Sequence, residues 1–166
     1  MKSLFAPWRS DYIKGVRKHE DGNNKCVFCI TENNHDENQL VLGQYKHCNV
    51  IMNLYPYSAG HLLITPKRHI AELQDLNPEE LNELMFLTKE ATRILKDKVN
   101  AEGINVGMNL GSASGAGIPE HLHMHVLPRW IGDTGFLCSI ANTRVISIDL
   151  QDAYNDLKPE FDKIKT

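Results

Sequence analysis

Short apolar runs separated by polar turns make up most of the pattern along this chain. Five runs have the length of a strand: Leu40–Gly43, Cys48–Leu54, Gly60–Thr65, Ile104–Leu110 and His121–Pro128. Turn-prone residues between Tyr55 and Gly60 separate the second run from the third, which is typical of two antiparallel strands joined by a short turn. The pattern therefore predicts five strands, the last two connected by a glycine-rich segment.

A long helical repeat separates the third run from the fourth. Asn77 can cap this helix, Pro78 suits its first position, and Glu80 completes the spacing of a capping box. Its predicted buried face recurs every three or four residues, at Leu81, Leu84, Met85, Thr88, Ala91, Ile94 and Leu95. Gly103 is a suitable residue to end it.

A second helical repeat lies between Asp149 and Lys165, although Pro159 falls within it. Strands, one long helix and further strands predict an antiparallel α+β domain. The length of 166 residues suits one domain that covers the whole chain. We expect an N-terminal arm of about residues 1–25 and a C-terminal tail of about residues 130–166.

Composition and charge narrow the classes of function. A net charge of −3 argues against a nucleic-acid surface, which normally shows a basic excess. No apolar run has the length of a membrane span, and the first residues do not resemble a secretory signal, so the expected location is cytosolic. Cys48 and Cys138 lie alone in apolar segments and are predicted to be small buried side chains.

The segment from His121 to Trp130 is the most informative part of the sequence. Alternate side chains of a strand share a face, so His121, His123 and His125 are predicted to line up while the apolar residues between them face a core. Three histidines could bind a catalytic zinc ion with one open position. Alternatively, one imidazole attacks a phosphorus atom and its neighbours bind phosphate, because much of the imidazole is unprotonated near neutral pH.

A glycine-rich connection, Asn109–Gly117, precedes the histidines. Small residues let main-chain N–H groups approach an anion closely, although such a loop is a weak signal by itself. Its place before a row of histidines favours phosphate chemistry over hydrolysis at a histidine-bound metal.

The pattern from His121 to Leu127, histidines alternating with apolar residues, resembles the signature of the histidine triad (HIT) superfamily. Residues from Asn109 to Asp133, the N-terminal Ala6-Pro7-Trp8-Arg9 and the Cys-x-x-Cys are similar to the branch of bacterial diadenosine-polyphosphate phosphorylases and hydrolases. The resemblance covers nearly the whole chain. It implies an α+β fold with a five-stranded antiparallel sheet, one long helix and a C-terminal helical segment, and a homodimer.

The resemblance also implies roles for individual residues. His123 would attack the α-phosphorus of a nucleotide and form a covalent nucleotidyl-histidine, which water or phosphate then resolves. His125, Asn109 and main-chain groups near Gly117 and Ile118 would contact the phosphate. His61 matches an additional histidine beneath the triad, and Asn53 matches the residue that holds the ribose hydroxyls. In this sequence no serine or threonine stands directly before the triad, so the handling of the leaving group is open.

Cys26 and Cys29 have the spacing of a zinc knuckle, but one pair supplies half of a tetrahedral set and could equally be a redox pair or chance. The resemblance implies that His69 and His121 complete a structural zinc site. Three functions stay open: a nucleotide hydrolase or transferase, a nucleotide-binding scaffold with little catalysis, and a zinc hydrolase that uses the triad as ligands.

Overall fold

The structure is a computed structural model that describes residues 26–30, 40–141, 146 and 148–165. The predictions for the N-terminal arm and its Ala-Pro-Trp-Arg motif lie outside the described residues. Within these residues the strands are β1 (Val41–Gln44), β2 (Cys48–Met52), β3 (Leu62–Pro66), β4 (Gly103–Met108) and β5 (Met124–Arg129). The helices are α1 (Pro78–Lys98), α2 (Phe136–Ala141) and α3 (Leu150–Phe161).

The five strands form one antiparallel sheet in the order β1-β2-β3-β5-β4. Helices α1 and α3 cover one face, with α1 against β2, β3 and β5, and α3 against β1 and α1. The main core lies between these helices and the sheet. A second, smaller apolar cluster lies around Phe28 and Ile30 and includes the sheet residues Val41, Ile51 and Leu63. The predicted site residues His123 and His125 line a cavity on this side, together with members of this cluster.

The predicted start of α1 is confirmed in detail. The Asn77 side chain accepts from the N–H of Glu80, and the Glu80 carboxylate accepts from the N–H of Asn77. The same carboxylate binds Arg68 at 2.6 and 2.7 Å. α1 ends at Lys98, before the Gly103 that the sequence offers as a stop, and Asn100 takes a left-handed conformation (φ 52°) just after the helix.

The buried face of α1 is rotated slightly from the prediction. Leu84, Leu87 and Ala91 are fully buried, whereas Met85 is 50% exposed and Leu81 is 43% exposed. Successive helical residues are about 100° apart, so a stripe centred on Leu84 and Leu87 leaves Met85 on its flank.

The described part of the C-terminal tail contains two helices, and α3 continues through Pro159 near its end, where few hydrogen bonds are lost. Trp130 packs against the main core and donates to the Val99 carbonyl at 3.1 Å, so it faces away from the histidines. Cys48 is buried as predicted, whereas Cys138 is partly exposed. Among the described residues, no helix is long and apolar enough to cross a membrane.

Candidate active site and metal cluster

The predicted strand His121–Pro128 begins later than expected, at Met124. The N–H of Leu122 donates to the carbonyl of Ile70 at 2.7 Å, and the N–H of His121 donates to Ile118 at 3.4 Å. These main-chain groups therefore bond to loops and not to a neighbouring strand. As a result only His125 lies within β5, and the three imidazoles have different surroundings.

His61 and His125 form a connected pair. Nε2 of His61 lies 2.9 Å from Nδ1 of His125. Nδ1 of His61 accepts from the N–H of Tyr57 at 3.2 Å and lies 3.2 Å from the Asn53 amide nitrogen. A ring nitrogen that accepts carries no proton in the neutral imidazole, so His61 is protonated at Nε2 and donates to His125.

This chain of hydrogen bonds determines the tautomer of His125. Because its Nδ1 accepts from His61, its proton is on Nε2. That Nε2 is buried and has no hydrogen-bond partner among the described residues. A buried N–H without a partner is costly in a folded protein, so it marks a donor that an absent group would satisfy.

His123 takes the opposite tautomer. Its Nδ1 lies 2.8 Å from the His121 carbonyl, which only accepts, so Nδ1 carries the proton. Nε2 is left with a free lone pair, the form that an attacking imidazole requires. The rings of His123 and His125 are 4.9 Å apart between centroids.

All three imidazoles are held in their neutral form. Burial, followed by the charges of His125 and His123, lowers the pKa of His61 to about 3. Burial and His123 lower the pKa of His125 to about 4. Burial also lowers the pKa of His123, against the opposing effect of its bond to the His121 carbonyl. The donors and lone pair described above are therefore present at neutral pH.

A cavity of about 240 Å³ opens above this group. All six residues predicted to contact nucleotide line it: Asn53, Asn109, Gly117, Ile118, His123 and His125. His61 is not among the lining residues and contacts three residues that are, Asn53, Tyr57 and His125. Asn53 is already engaged with His61 and with the N–H of Tyr55 at 2.9 Å, so its role toward ribose stays a prediction.

One side of the cavity is apolar, and this surface was not predicted from the sequence. Its residues are Val27, Phe28, Ile30, Ile51, Leu63 and Ile118. They come from the Cys-x-x-Cys segment, two strands and the glycine-rich connection. The short apolar run around Phe28, inside a long polar stretch, was the signal that could have indicated a buried role for that segment.

The glycine-rich connection forms a tight turn that leads to the cavity. A short 3-10 helix, Ser112–Ser114, is flanked by Gly111 (φ 75°) and Gly115 (φ 88°), both in conformations that other residues rarely adopt. The Ser114 hydroxyl donates to the Gly111 carbonyl at 2.7 Å and so stabilises the turn. No serine or threonine stands directly before the triad, and the Ser114 hydroxyl does not take its place, because it is bonded within the turn.

The predicted metal ligands come together as one group. The ligand atoms of Cys26, Cys29, His69 and His121 all lie within 4.8 Å of one another. Sγ of Cys26 is 3.3 Å from Nδ1 of His121, and Sγ of Cys29 is 3.3 Å from Nδ1 of His69. Tetrahedral zinc with its usual bond lengths places neighbouring sulfur and nitrogen ligands about 3.5 Å apart.

The hydrogen bonds and charges of this cluster also suit a cation. Nε2 of His121 donates to the Pro66 carbonyl at 2.9 Å, which leaves Nδ1 free to coordinate. Burial and the neighbouring Cys26 raise the pKa of Cys29 to about 11, so two thiolates are compatible here only beside a positive charge. Within the described residues, no metal-binding group combines the three triad histidines, which disfavours the zinc-hydrolase alternative.

Comparisons with known proteins agree with this geometry. The HIT domain family matches residues 34–130. An AP-4-A phosphorylase of Mycobacterium tuberculosis is 37% identical over 165 residues, covering 97% of this chain and 85% of the relative. An asymmetrical bis(5'-nucleosyl)-tetraphosphatase of Schizosaccharomyces pombe is 33% identical over 78 residues, covering 47% of this chain and 42% of the relative.

The solved structures that this chain resembles include a zinc-bound histidine triad family protein from Mycobacterium smegmatis. The TM-score is 0.68 at 25% sequence identity, and the match covers 86% of this chain and 96% of that chain. The expected fold, a five-stranded antiparallel sheet with a long helix, is thus confirmed.

Proposed function

This chain belongs to the HIT domain family, and from that premise we propose that it is an enzyme that cleaves a diadenosine polyphosphate or a related nucleoside phosphate. The observation that carries the proposal is the pair of opposite tautomers on neighbouring histidines. His123 offers a lone pair at Nε2, and His125 offers an N–H at Nε2. A nucleophile beside a donor for developing charge is what transfer of a nucleotidyl group needs.

The reaction proceeds in two displacements. The Nε2 lone pair of His123 forms a bond to the α-phosphorus, and the bond from that phosphorus to the leaving polyphosphate oxygen breaks. The oxygen keeps the electron pair. In the second displacement, water, which gives up one proton to solvent, or an inorganic phosphate oxygen attacks the same phosphorus, the P–N bond breaks, and the lone pair returns to His123.

The other residues around the α-phosphate stabilise charge in both displacements. Nε2–H of His125 donates to a phosphate oxygen, which satisfies the one buried donor that lacks a partner in this group. Asn109 and the main chain at Gly117 and Ile118 line the same cavity and supply further donors. His61 does not touch the substrate. It acts through His125, whose tautomer it holds.

The apolar side of the cavity suits the nucleoside. Phe28, Ile51 and Leu63 offer surfaces for a flat base, and Asn53, which lines the same cavity, would bind the ribose hydroxyls. We assign zinc to the cluster of Cys26, Cys29, His69 and His121, as a structural ion whose four positions are all filled by protein ligands. The zinc-bound Mycobacterium smegmatis relative supports this assignment.

A twofold dimer is the second part of the proposal. β4 is an edge strand whose outer side pairs with no described strand, and Val106 on it is 45% exposed although it is apolar. Pairing of two such edges would bury both. Sedimentation of the wild type as a dimer, and of Val106→Lys as a monomer, would support it. The cytosolic location and the absence of a nucleic-acid partner stay predictions.

The decisive experiment is product identification with diadenosine tetraphosphate, with and without inorganic phosphate. ATP and AMP would show hydrolysis, whereas ATP and ADP formed only when phosphate is present would show phosphorolysis. Acid-free trapping and mass spectrometry should find one nucleotidyl group, bound to His123. Turnover by His123→Asn at the wild-type rate would refute the nucleophile, and tight AMP binding without any turnover would favour the scaffold function.

A further inference from the structure

The segment from Cys26 to Ile30 belongs to two sites at the same time. Its two cysteines supply ligand atoms of the metal cluster. Its other three residues, Val27, Phe28 and Ile30, line the nucleotide cavity. The same short segment therefore supplies two ligands to the metal site and part of the lining of the proposed substrate site.

Phe28 is the residue of this segment that contacts both sites. Its ring centroid lies 5.6 Å from that of the metal ligand His121, edge to face, and 5.0 Å from that of the nucleophile His123. Only 7% of Phe28 is exposed. The ring thus packs against both the ligand and the nucleophile and also lines the cavity.

Hydrogen bonds also hold the segment in place. The N–H of Cys29 donates to the carbonyl of Cys26 at 3.0 Å, within the turn. One side chain of the sheet, Asn49, donates to the Ile30 carbonyl at 3.4 Å. Apolar contacts and the ligand atoms anchor it as well, because Phe28 and Ile30 belong to the smaller apolar cluster, Cys26 lies against His121 and Cys29 lies against His69. A cation that joined these four ligands would restrain the turn and with it the Phe28 ring.

We propose that Phe28 is a positioning residue through which metal bound by Cys26, Cys29, His69 and His121 sets the affinity for nucleotide and the orientation of the His123 ring. This inference rests on the proposed function of the cavity. It assigns to the cluster a role beyond holding the fold together, since metal and nucleotide share one wall. Two ligands that stabilise the same arrangement of a segment bind cooperatively, and the coupling is reciprocal.

Reciprocity gives a test that does not depend on turnover. The zinc affinity of the wild-type protein is measured by competition with a chromophoric chelator, with and without saturating AMP. We expect AMP to raise the zinc affinity by about tenfold, within the usual range of such couplings. In Phe28→Leu, which keeps an apolar side chain but removes the flat ring, we expect AMP to have less than about a third of that effect.

The matched control is Phe86→Leu, the same substitution on the partly buried face of α1, outside the cavity and the cluster. It should keep the wild-type coupling even if its melting temperature falls. In zinc-loaded protein, Phe28→Leu should also raise the dissociation constant of AMP by about fivefold, with one zinc per chain retained. A purely structural role for Phe28 would lower the melting temperature of Phe28→Leu and leave its coupling between AMP and zinc at the wild-type value.

Two results would overturn the inference. One is an equal zinc affinity of the wild type with and without bound AMP, and the other is full coupling in Phe28→Leu. Either would leave the proposed function intact, because AMP would still bind and diadenosine tetraphosphate could still be cleaved. A zinc-loaded wild type that binds no AMP would overturn both.

Discussion

The hydrogen bond from His61 to His125 makes a sharp prediction about catalysis. Two substitutions test the two ring nitrogens of His61 one at a time. The side-chain amide of asparagine reaches the position of Nδ1 of histidine, and that of glutamine reaches the position of Nε2. His61→Asn keeps an acceptor for the Tyr57 N–H but leaves Nδ1 of His125 without its donor. His61→Gln keeps a donor to His125 but removes the acceptor for Tyr57.

The two substitutions should differ in size of effect, because each removes a different hydrogen bond. Without its donor, Nδ1 of His125 regains stability by taking the proton, and Nε2 then presents a lone pair to the phosphate. Loss of one donor aimed at developing charge lowers kcat by about 10²–10³-fold, and we expect this for His61→Asn. His61→Gln should keep kcat within about tenfold of the wild type. It should lose about 1–3 kcal/mol of stability, because the N–H of Tyr57 is left without an acceptor.

The assay is single-turnover cleavage of diadenosine tetraphosphate by zinc-loaded protein, together with urea unfolding of each variant. AMP affinity serves as a check that the cavity is intact, and His47→Asn, at a histidine outside the cavity, controls for the substitution itself. Equal kcat values for the asparagine and glutamine variants would refute the tautomer argument. So would wild-type activity in His61→Asn, since the donor on His125 would then be unnecessary.

Three further predictions concern the metal, acid stability and the fold. Cys26→Ser should reduce zinc from one per chain to well below that, measured by atomic emission, and should lower the melting temperature, whereas Cys138→Ser should do neither. The free energy of unfolding should fall as pH drops below about 6.5. The pKa of His61 is about 6.5 in the unfolded chain and about 3 in the folded protein, so the unfolded state binds more protons in this range. Urea unfolding between pH 7 and 4 should show a shallower fall for His61→Asn than for the wild type. Glu83→Ala should cost about 2 kcal/mol, because one carboxylate oxygen accepts the N–H groups of both His47 and Cys48, and Glu83→Gln, which keeps an acceptor, should cost less in the same measurement.

The parts of the fold that depend on residues close together in the chain could be predicted from the sequence. The capping box at Asn77 and Glu80 needs only residues three apart, and the five apolar runs needed only their length and the turns between them to be recognised as strands. The end of α1 was less predictable, because Asn100 can take the left-handed conformation as glycine does. The bond from Glu83 to the start of β2 joins residues 35 positions apart, and no local pattern indicates it.

The different surroundings of the three triad histidines could not be predicted from the local sequence pattern. Alternation predicts that His121, His123 and His125 share a face, and it assigns them no distinct chemistry. Their roles diverge because the main chain joins the sheet only at Met124, after Leu122 has bonded to Ile70. His121 is then free to turn toward cysteines more than 90 positions away, while His125 receives its proton arrangement from His61, 64 positions away. A resemblance to a family can name such partners, but only packing explains why one imidazole can serve as a ligand, the next as a nucleophile and the third as a donor.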